Sequence, residues 1–489
     1  MRVVSFHYIK DLLLEKTPSH DFLEICFKRC ANYFSGSAGF LTDLSFNGGN
    51  IGLQVGNQQY TIRNLVFNNC VTAIQALWSW EIVFQGLSIN NCQKGIDISS
   101  TGSNGALNVG SITVIDSSIT NTPIGILTAY SSTSSPATAN SLIVENLSLN
   151  NVPTAIQANG AAALAGTTGS TTITWGEGHE YTPNGPTSFQ GSFTPNSRPA
   201  SLVSGSNYYT RSKPQYQTLP VSSFSSVRSA GATGNGHTDD TSALQNIINT
   251  ATSAGNIVYF DAGTYLITST LTIPPGAKIV GEAYPVILSS GSFFSNINSP
   301  QPVVRVGASG QTGQVEWSDM IVSTQGAQAG ATLIEWNLAT SGTPSGMWDV
   351  HTRVGGFVGS DLQVAQCPVT ASSSAVNTNC IGAFMSMHIT PSAAGLYLEN
   401  ASFEMFLRSR SVADVNRSGS GPQTTTSTTP PTPKSQFSTE EACISKAQLG
   451  LSGCKPSPRH PLFPTILHKP QILPSSKHPT ILIANNPTA

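Results

Sequence analysis

Charged side chains are scarce in this 489-residue sequence: Asp, Glu, Lys and Arg make up 10% of it, against about a quarter of an ordinary globular domain. Positive charge is not in excess either, since 23 basic residues face 25 acidic ones and the formal net charge is -2. Binding to nucleic-acid phosphates needs clustered Lys and Arg. The composition therefore excludes a basic nucleic-acid-binding surface, and so few charges also exclude a coiled coil.

Long apolar runs are missing as well. No run approaches the ~20 residues that an α-helix needs to cross a bilayer, so we expect no contact with the membrane interior. The sequence begins MRVVSFHYIKDLLLEKTPSHDF, where charges interrupt the apolar stretch and no small-residue cleavage site follows, so we predict no signal peptide in this chain. Residues 1–35 are interpreted as an aberrant or truncated N-terminus. The protein then either stays inside the cell or has another authentic start.

Glycine and proline are abundant, with 44 and 30 residues, and 39% of the sequence is hydrophobic. This composition favours β-structure with many turns, and the length suggests two or more domains. An eleven-residue pattern recurs in the first half, at spacings of 21, 22, 30 and 30 residues. Its five copies are DLSFNGGNIGL (Asp43–Leu53), NLVFNNCVTAI (Asn64–Ile74), GLSINNCQKGI (Gly86–Ile96), DSSITNTPIGI (Asp116–Ile126) and NLSLNNVPTAI (Asn146–Ile156).

Each copy of this repeat predicts a strand, a sharp bend and a second strand. Alternating apolar residues indicate a strand with one buried face, and the central Asn or Gly tolerates a left-handed backbone. Such a unit at this spacing is typical of one coil of a parallel β-helix, whereas the regular Leu pattern of leucine-rich repeats is absent. We expect a first β-helix over residues 36–194, with Asn69 stacked on Asn91 and Cys70 on Cys92, both cysteines as free thiols.

A second unit follows a linker. Residues 195–229 are rich in Ser, Pro and Tyr with little periodicity, which predicts a linker. Thr238 or Asp239 can then N-cap a helix that runs to about Ala254, and capping is favoured over catalysis for the adjacent carboxylates Asp239 and Asp240. Three short strands are predicted next, at Ile257–Phe260, Thr264–Ile267 and Ala277–Val280. This opening, from Gly231 to Glu282, resembles the pectate-lyase-like β-helix superfamily.

Several long segments resemble fungal exo-β-1,3-glucanases of glycoside hydrolase family 55. They are GSAGFLTDLSFNGGNIGLQVGNQQYTIRNLVFNNC (Gly36–Cys70), WSDMIVSTQGAQAGATLIEWNL (Trp317–Leu338), GMWDVHTRVGGFVGSDLQVAQCP (Gly346–Pro368) and CIGAFMSMHITPSAAGLYLEN (Cys380–Asn400). The resemblance implies an all-β fold of two tandem right-handed parallel β-helices, the second over residues 230–400 with a short capping helix at its start. It also implies secretion, no cofactor, a monomer, and release of glucose from the non-reducing end of β-1,3-glucan with inversion.

The resemblance also points to candidate site residues in the first β-helix. An inverting glycosidase needs a carboxylic acid and a water held on the opposite face of the sugar. Gln58 and Ser79 are the candidates for positioning this water, and Gln59, Trp78 and Trp80 are candidates for binding the substrate. A second interpretation is open: Gln58 and Ser79 lie in turns, and the two tryptophans cap the apolar core.

The second half offers further candidates. Glu335 is a possible buried acid and substrate contact, although a role in supporting the fold is favoured. Asp349 and His351 are expected on one face of a strand, as a structural pair. Cys367 and Cys380 bracket a loop of Ser, Thr and Asn and are predicted to form a disulfide. We predict no metal site.

The general acid of the resembled family has no counterpart. In the family, LYLEN is followed by a Trp-rich strand and then by a Gly-Thr-Ala-Val-Glu-His-His motif that supplies this acid, and neither occurs here. Instead, 12 of the 30 prolines fall in residues 401–489. A one-nucleotide shift in the reading of Gly421–Cys443 yields a sequence that resembles the family's continuation. Residues 401–489 are therefore interpreted as a disordered, mistranslated tail, and the chain is expected to have little or no hydrolytic activity.

Two other functions stay open. The first is a carbohydrate-binding β-helix without catalysis. The second is a lyase or polygalacturonase that acts on pectin, because these enzymes share the opening of the second unit. Pectin is anionic, so its site would gather Lys and Arg or Ca²⁺-binding carboxylates. The sequence shows no such cluster, which ranks this function last.

Overall fold

The computed structural model describes residues 31–34, 39–133, 139–368, 376–405 and 481–483. Within these residues the protein is almost entirely β-structure, with a single α-helix. The chain divides into a first unit that runs to Ser212 and a second unit that starts at Lys213. Each unit has its own apolar core, built from inward-facing side chains of its strands. The predicted β-helical class is confirmed.

The first unit is a stack of parallel strands with an antiparallel end. Its strands are β1 (Ala31–Phe34), β2 (Phe40–Thr42), β3 (Ser45–Asn47), β4 (Ile51–Arg63), β5 (Val66–Asn68), β6 (Thr72–Gln85), β7 (Ser88–Asn90), β8 (Lys94–Asp97), β9 (Val109–Thr120), β10 (Ile124–Thr128), β11 (Ser141–Ala158), β12 (Ala161–Thr182), β13 (Gly185–Ser192), β14 (Val203–Ser204) and β15 (Asn207–Tyr208). Strand β4 pairs in parallel with β6, β6 with β8 and β9, and β9 with β11. The long strand β12 then pairs antiparallel with β11, and β13 pairs antiparallel with β12, so these two strands end the stack.

The predicted bends fall at the first and sixth residues of every repeat copy. All of these residues have a left-handed backbone, which Asn, Asp and Gly adopt at little cost. The first residues are Asp43, Asn64, Gly86, Asp116 and Asn146, and the sixth are Gly48, Asn69, Asn91, Asn121 and Asn151. The repeat in the sequence is therefore the repeat of the coils.

Asparagine side chains form ladders between coils, with one correction to the predicted rungs. Each ladder bond joins an amide nitrogen to the carbonyl oxygen of the asparagine one coil earlier, at 2.9 to 3.1 Å. The ladders run Asn47–Asn68–Asn90 and Asn91–Asn121–Asn151. Asn69 and Asn91 are equivalent bends, as expected, but their side chains are exposed and the ladder bond of that coil joins Asn68 to Asn90. Cys70 and Cys92 are buried free thiols, as predicted.

The second unit repeats this architecture with a helix at its start. Its elements are β16 (Phe224–Ser226), β17 (Asn235–Asp239), α1 (Thr241–Ser253), β18 (Ile257–Phe260), β19 (Thr264–Ile267), β20 (Leu271–Ile273), β21 (Lys278–Gly281), β22 (Val286–Ser289), β23 (Gln301–Val306), β24 (Glu316–Thr324), β25 (Ala331–Trp336), β26 (Ser345–Val354), β27 (Met385–Ile389), β28 (Leu396–Glu399), β29 (Phe403–Met405) and β30 (Ile481–Ile483). Parallel pairing runs through β18, β21, β24, β26 and β28, and β20, β23, β25 and β27 form a separate four-stranded sheet. Short 3₁₀ turns lie at Ala200–Leu202, Val221–Ser223, Ser292–Phe294 and Thr378–Cys380.

The helix starts one to two residues later than the sequence predicts. It begins at Thr241, whose backbone N–H donates to the Asp239 carboxylate at 3.0 Å, so Asp239 does satisfy a free donor at the helix start. Asp240, the residue that precedes the helix, turns its carboxylate back and accepts from the backbone N–H groups of Thr233 and Gly234, at 2.7 and 2.9 Å. The paired carboxylates therefore hold the entry loop and the first turn.

A buried ionic network lies along the bends of the second unit. Asp319 and Asp349 have left-handed backbones one coil apart, and Lys213 donates to both carboxylates. Asn400 occupies the next coil and donates its amide to Asp349. This arrangement corrects the expected Asp349–His351 pair: the bend at Asp349 breaks the strand alternation, and His351 Nδ1 instead lies 2.8 Å from the Ser402 hydroxyl.

In the first unit, too, a cation from the end of the unit binds at the bends of the coils. Arg198 pairs with Asp116 and Glu145, both at 2.5 Å. Asn146, on the coil after Asp116, donates its amide to the Asp116 carboxylate at 2.7 Å. The residues predicted as linker are thus ordered against the coils, and short elements such as β14, β15 and β16 lie among them.

Candidate functional site

Strands β4 and β6 place the candidate residues of the first unit side by side. The two strands are parallel and pair in a register that aligns Gly56 with Trp78 and Asn57 with Ser79. Gln58 therefore lies beside Trp80 on the next coil, and Gln59 pairs with the residue after it, Glu81. The structure thus brings together the five residues that the sequence proposed. They lie in strands, and not in turns as the second interpretation held.

The side chains of this face differ in how far they are exposed. Trp80 is 59% exposed, so it does not cap the core. Trp78, Gln58 and Gln59 are half-buried. Ser79 is only 4% exposed, and its hydroxyl oxygen accepts from the Gly110 N–H of the next coil at 3.2 Å. We name the surface formed by Gln58, Gln59, Trp78 and Trp80 the Trp80 face.

Glycine on the next coil allows the backbone of Trp80 to pack closely. A Cβ atom at Gly110 would lie 2.4 Å from the Trp80 carbonyl oxygen, which is closer than real Cβ contacts. The indole therefore projects from a tightly packed edge. Exposed aromatic rings bind the apolar C–H face of a sugar, and amides bind its hydroxyl groups. The face has the chemistry to bind a neutral carbohydrate.

Glu335 lies on β25 of the second unit, in a ladder of charged side chains. Arg305 Nε on β23 donates to it at 2.9 Å, and Asn337 Nδ2 donates at 3.1 Å. His388 on β27 has its Nδ1 3.9 Å from the other carboxylate oxygen. Glu335 is partly exposed and ion-paired, and is not the desolvated acid that the sequence suggested. This arrangement agrees with a role in supporting the sheet.

The structure shows a buried carboxyl group that sequence reasoning missed. Glu177 on β12 is 2% exposed, and burial raises its pKa above the ordinary value. The hydrogen bond from Gln190 acts in the opposite direction, more weakly. The sequence does contain a signal for this group. Trp175, Glu177 and His179 alternate along one strand, which places the three side chains on one face.

The second unit contains further perturbed groups around its ionic network. Burial raises the pKa of Asp319, although the charge of Lys213 opposes this shift. Burial also raises the pKa of the Tyr284 hydroxyl far above its usual range, and the charges of Asp349 and Asp319 add to the effect. Tyr284 and the preceding Ala283 both have left-handed backbones. Two such residues in succession are uncommon and mark a strained turn against the network.

The predicted disulfide between Cys367 and Cys380 is present. No helix in the described part of the chain is long and apolar enough to cross a membrane. Within the same residues, no three His, Cys, Asp or Glu side chains are grouped so as to hold a metal ion.

A family model described as rhamnogalacturonase A/epimerase, pectate lyase-like, matches residues 26–97 and 224–345. These two ranges fall in the two units in turn, so the match repeats along the chain. The match agrees with the coils of parallel strands described above.

Similar proteins come from fungi. A glucan 1,3-beta-glucosidase of Cochliobolus carbonum is 45% identical over 369 residues, which are 75% of this chain and 46% of that protein. A probable glucan endo-1,3-beta-glucosidase of Arthroderma benhamiae is 36% identical over 465 residues, or 75% of this chain and 52% of that protein. The non-secreted LysM effector LysM19 of Penicillium expansum is 38% identical over 374 residues, or 74% of this chain and 29% of that protein. The chain thus spans about half the length of the two glucanases or less.

Proposed function

We propose that this chain, a pectate-lyase-like β-helix protein and a relative of fungal glucan 1,3-beta-glucosidases, binds β-1,3-glucan through the Trp80 face. The observation that carries the proposal is the register of β4 and β6, which sets an indole with 59% exposure beside a row of amides. A neutral glucan needs such aromatic and amide contacts and no charged patch. The relatives' names supply the substrate class.

In this proposal each residue of the Trp80 face has its own role. Trp80 stacks on a glucose ring, and Trp78 extends the platform below it. Gln59 binds hydroxyl groups. Gln58 and Ser79 hold the attacking water, with Ser79 using its hydroxyl hydrogen, because its oxygen already accepts from Gly110.

The reaction that this geometry serves is exo-attack on β-1,3-glucan with inversion and release of glucose, in a secreted, monomeric protein. Inversion also requires a general acid. The acid-bearing motif of the resembled family does not occur in the 489 residues. We therefore expect the chain by itself to bind laminarin and to release little or no glucose from it. Turnover comparable to that of a full-length glucan 1,3-beta-glucosidase would refute this part of the proposal.

Binding is tested by the Trp80→Ala variant. Loss of one stacked ring is expected to weaken binding to laminarin about tenfold, because an aromatic contact of this kind is worth about 0.5–1.5 kcal/mol beyond its buried area. Tyr181→Ala is the matched control, since Tyr181 is an aromatic residue of the same unit with 66% exposure. Calorimetric titration with laminarin measures both variants. Equal affinities for wild type and Trp80→Ala would refute the Trp80 face as the binding surface.

A second candidate function is carbohydrate binding without catalysis in the mature protein. The similarity to a non-secreted LysM effector favours it, since that relative is not named as a hydrolase. Glucose release distinguishes the two functions. Measurable glucose release from laminarin by this chain would rule out the second.

A further inference from the structure

The end of the first unit contains a pocket of about 470 Å³. It lies where the coil stack stops, between residues 130–132 that follow β10, the turn from β11 to β12, and strand β13. Its described lining includes Tyr130, Phe189, Ser188, Gln190 and the run Ala161–Ala163. This volume falls within the range of about 300–1,000 Å³ that is usual for ligand pockets.

The pocket lies at the end of a column of inward-facing side chains. Ile82, Ile112 and Leu142 stack from coil to coil in the core of the first unit. The next two members of the column, by strand register, are Glu177 on β12 and Gln190 on β13. An apolar column that ends in a carboxyl and an amide is costly unless the polar groups have partners.

Glu177 and Gln190 are joined in a defined way. The Gln190 amide donates to Glu177 Oε2 at 3.0 Å, which identifies Oε2 as an acceptor. Glu177 Oε1 is buried, and no described residue hydrogen-bonds to it. The nearby Thr128 hydroxyl donates its one hydrogen to Asn140 at 3.2 Å. The hydrogen bond to Glu177 Oε2 uses one of the two amide hydrogens of Gln190. The second hydrogen and the carbonyl oxygen of Gln190 remain for a ligand.

The described lining indicates an uncharged ligand with one apolar face. Tyr130, Phe189 and the alanine methyl groups supply apolar surface, while Ser188 and Gln190 supply a hydroxyl and an amide. None of the described lining residues carries a charge. Tyr130 is fixed, because its hydroxyl donates to the Gly178 carbonyl at 2.8 Å. A pyranose ring has this combination of an apolar C–H face and hydroxyl edges.

We propose that this pocket is a second glucan-binding site, which takes the end of a neutral β-linked glucose chain, with Gln190 as a ligand contact and Glu177 as its positioning residue. The proposal depends on the proposed function only for the identity of the sugar. The pocket is formed by β10 to β13, whereas the Trp80 face is formed by β4 and β6, so the two sites are tested separately.

Calorimetric titration of the full chain with laminaritetraose, a β-1,3-linked glucose tetrasaccharide, tests the proposal. In the Trp80→Ala background the pocket is the remaining site. In this background, the additional substitution Ala162→Trp fills the pocket and is expected to weaken binding of the tetrasaccharide at least about tenfold. Ala165→Trp is the matched control, because Ala165 is an exposed alanine of the same strand outside the pocket lining, and it is expected to have no effect.

Two substitutions of Glu177 separate a positioning role from a merely structural one. Glu177→Gln keeps a side-chain oxygen that accepts from Gln190, so wild-type affinity is expected. Glu177→Leu continues the apolar column and is expected to keep or raise the melting temperature while it weakens tetrasaccharide binding. Gln190→Ala, at an exposed position, is expected to weaken binding without unfolding.

Three results would overturn the site. They are unchanged binding in Trp80→Ala with Ala162→Trp, unchanged binding in Glu177→Leu, and binding of an oligogalacturonate probe in the pocket in place of laminaritetraose. Binding that responds to Ala162→Trp but not to Trp80→Ala would refute the Trp80 face and leave the pocket supported. The opposite response would leave the proposed function supported and reject the pocket.

Discussion

Replacing Lys213 by Met is expected to be among the most damaging single substitutions in the second unit. The Lys213 and Asp349 side chains are 3% and 0% exposed, and Nζ lies 3.0 Å from the Asp349 carboxylate. Asp319 is a second partner of the same ammonium group. Methionine matches the length of the lysine stem but leaves the fully buried Asp349 carboxylate and the 16% exposed Asp319 carboxylate without a cation.

The magnitude follows from burial. A unit-charge pair at this separation is worth about 5 kcal/mol at an effective dielectric constant of about 20. Removing one partner of a buried pair typically costs about 3–5 kcal/mol. The control is Arg305→Met, which breaks the pair with Glu335 in the same unit. Arg305 and Glu335 are 39% and 21% exposed, so solvent screens the pair and the expected cost is below about 1 kcal/mol.

Urea denaturation followed by tryptophan fluorescence measures both losses, since Trp317, Trp336 and Trp348 lie in the second unit. The pH dependence gives an independent check. Without Lys213, the folded-state pKa of Asp319, which burial already raises, rises further. The stability loss is then largest at neutral pH, and it shrinks as the pH falls towards the range in which the unfolded carboxylates also bind protons.

A rescue variant completes the test. Asp349→Asn in the Lys213→Met background removes one of the two charges and keeps a residue type that tolerates the left-handed backbone of this position. Partial recovery of stability is expected. The reasoning is refuted if Lys213→Met costs no more than Arg305→Met, or if its cost is the same at pH 4 and pH 7.

Three further predictions follow from the described residues. Because the pKa of Glu177 is raised, the folded protein binds a proton there more tightly than the unfolded chain, and this group lowers stability as the pH rises above about 4.3. Glu177→Gln should flatten that part of a profile of melting temperature against pH, and an unchanged profile would contradict the prediction. Replacing Cys367 and Cys380 by Ser is expected to cost up to about 3 kcal/mol, because the bond closes a loop of 13 residues; chemical denaturation measures the loss, and an unchanged midpoint would contradict it. The Asn146 amide is bound to Asp116 and Asn207, so expression in a glycosylating host should leave the Asn146-Leu147-Ser148 acceptor sequence unmodified in peptide mass spectra; a glycan there would contradict the described bonds.

Much of the fold was predictable because its determinants are local. Asn64, Asn69 and their equivalents recur at the coil spacing, since a left-handed bend accepts few residue types at little cost. Alternation between bends identified the strands, and the loop between Cys367 and Cys380 identified the disulfide. The predicted helix was real, but its first residue was misplaced, because Asp239 and Asp240 are both good capping residues and only the folded loop shows which partner each one takes.

The candidate site was only partly predictable. Resemblance to a known family identified Gln58, Ser79 and Trp80, and the register of β4 and β6 brings them together. The exposure of Trp80 and the burial of Ser79 depend on the neighbouring coil, through Gly110, and no pattern around these residues encodes them.

The sequence by itself determined the coil repeat, the β-helical class and the near absence of charge that suits a neutral polysaccharide. Only the tertiary structure decided where the remaining charges go. Lys213 and Arg198 each lie against bends of coils that are far away in sequence, and Glu177 ends an apolar column built from three other strands. The physical reason is that backbone bends depend on single residues, whereas burial and ion pairing depend on which segments the stacking of coils brings into contact.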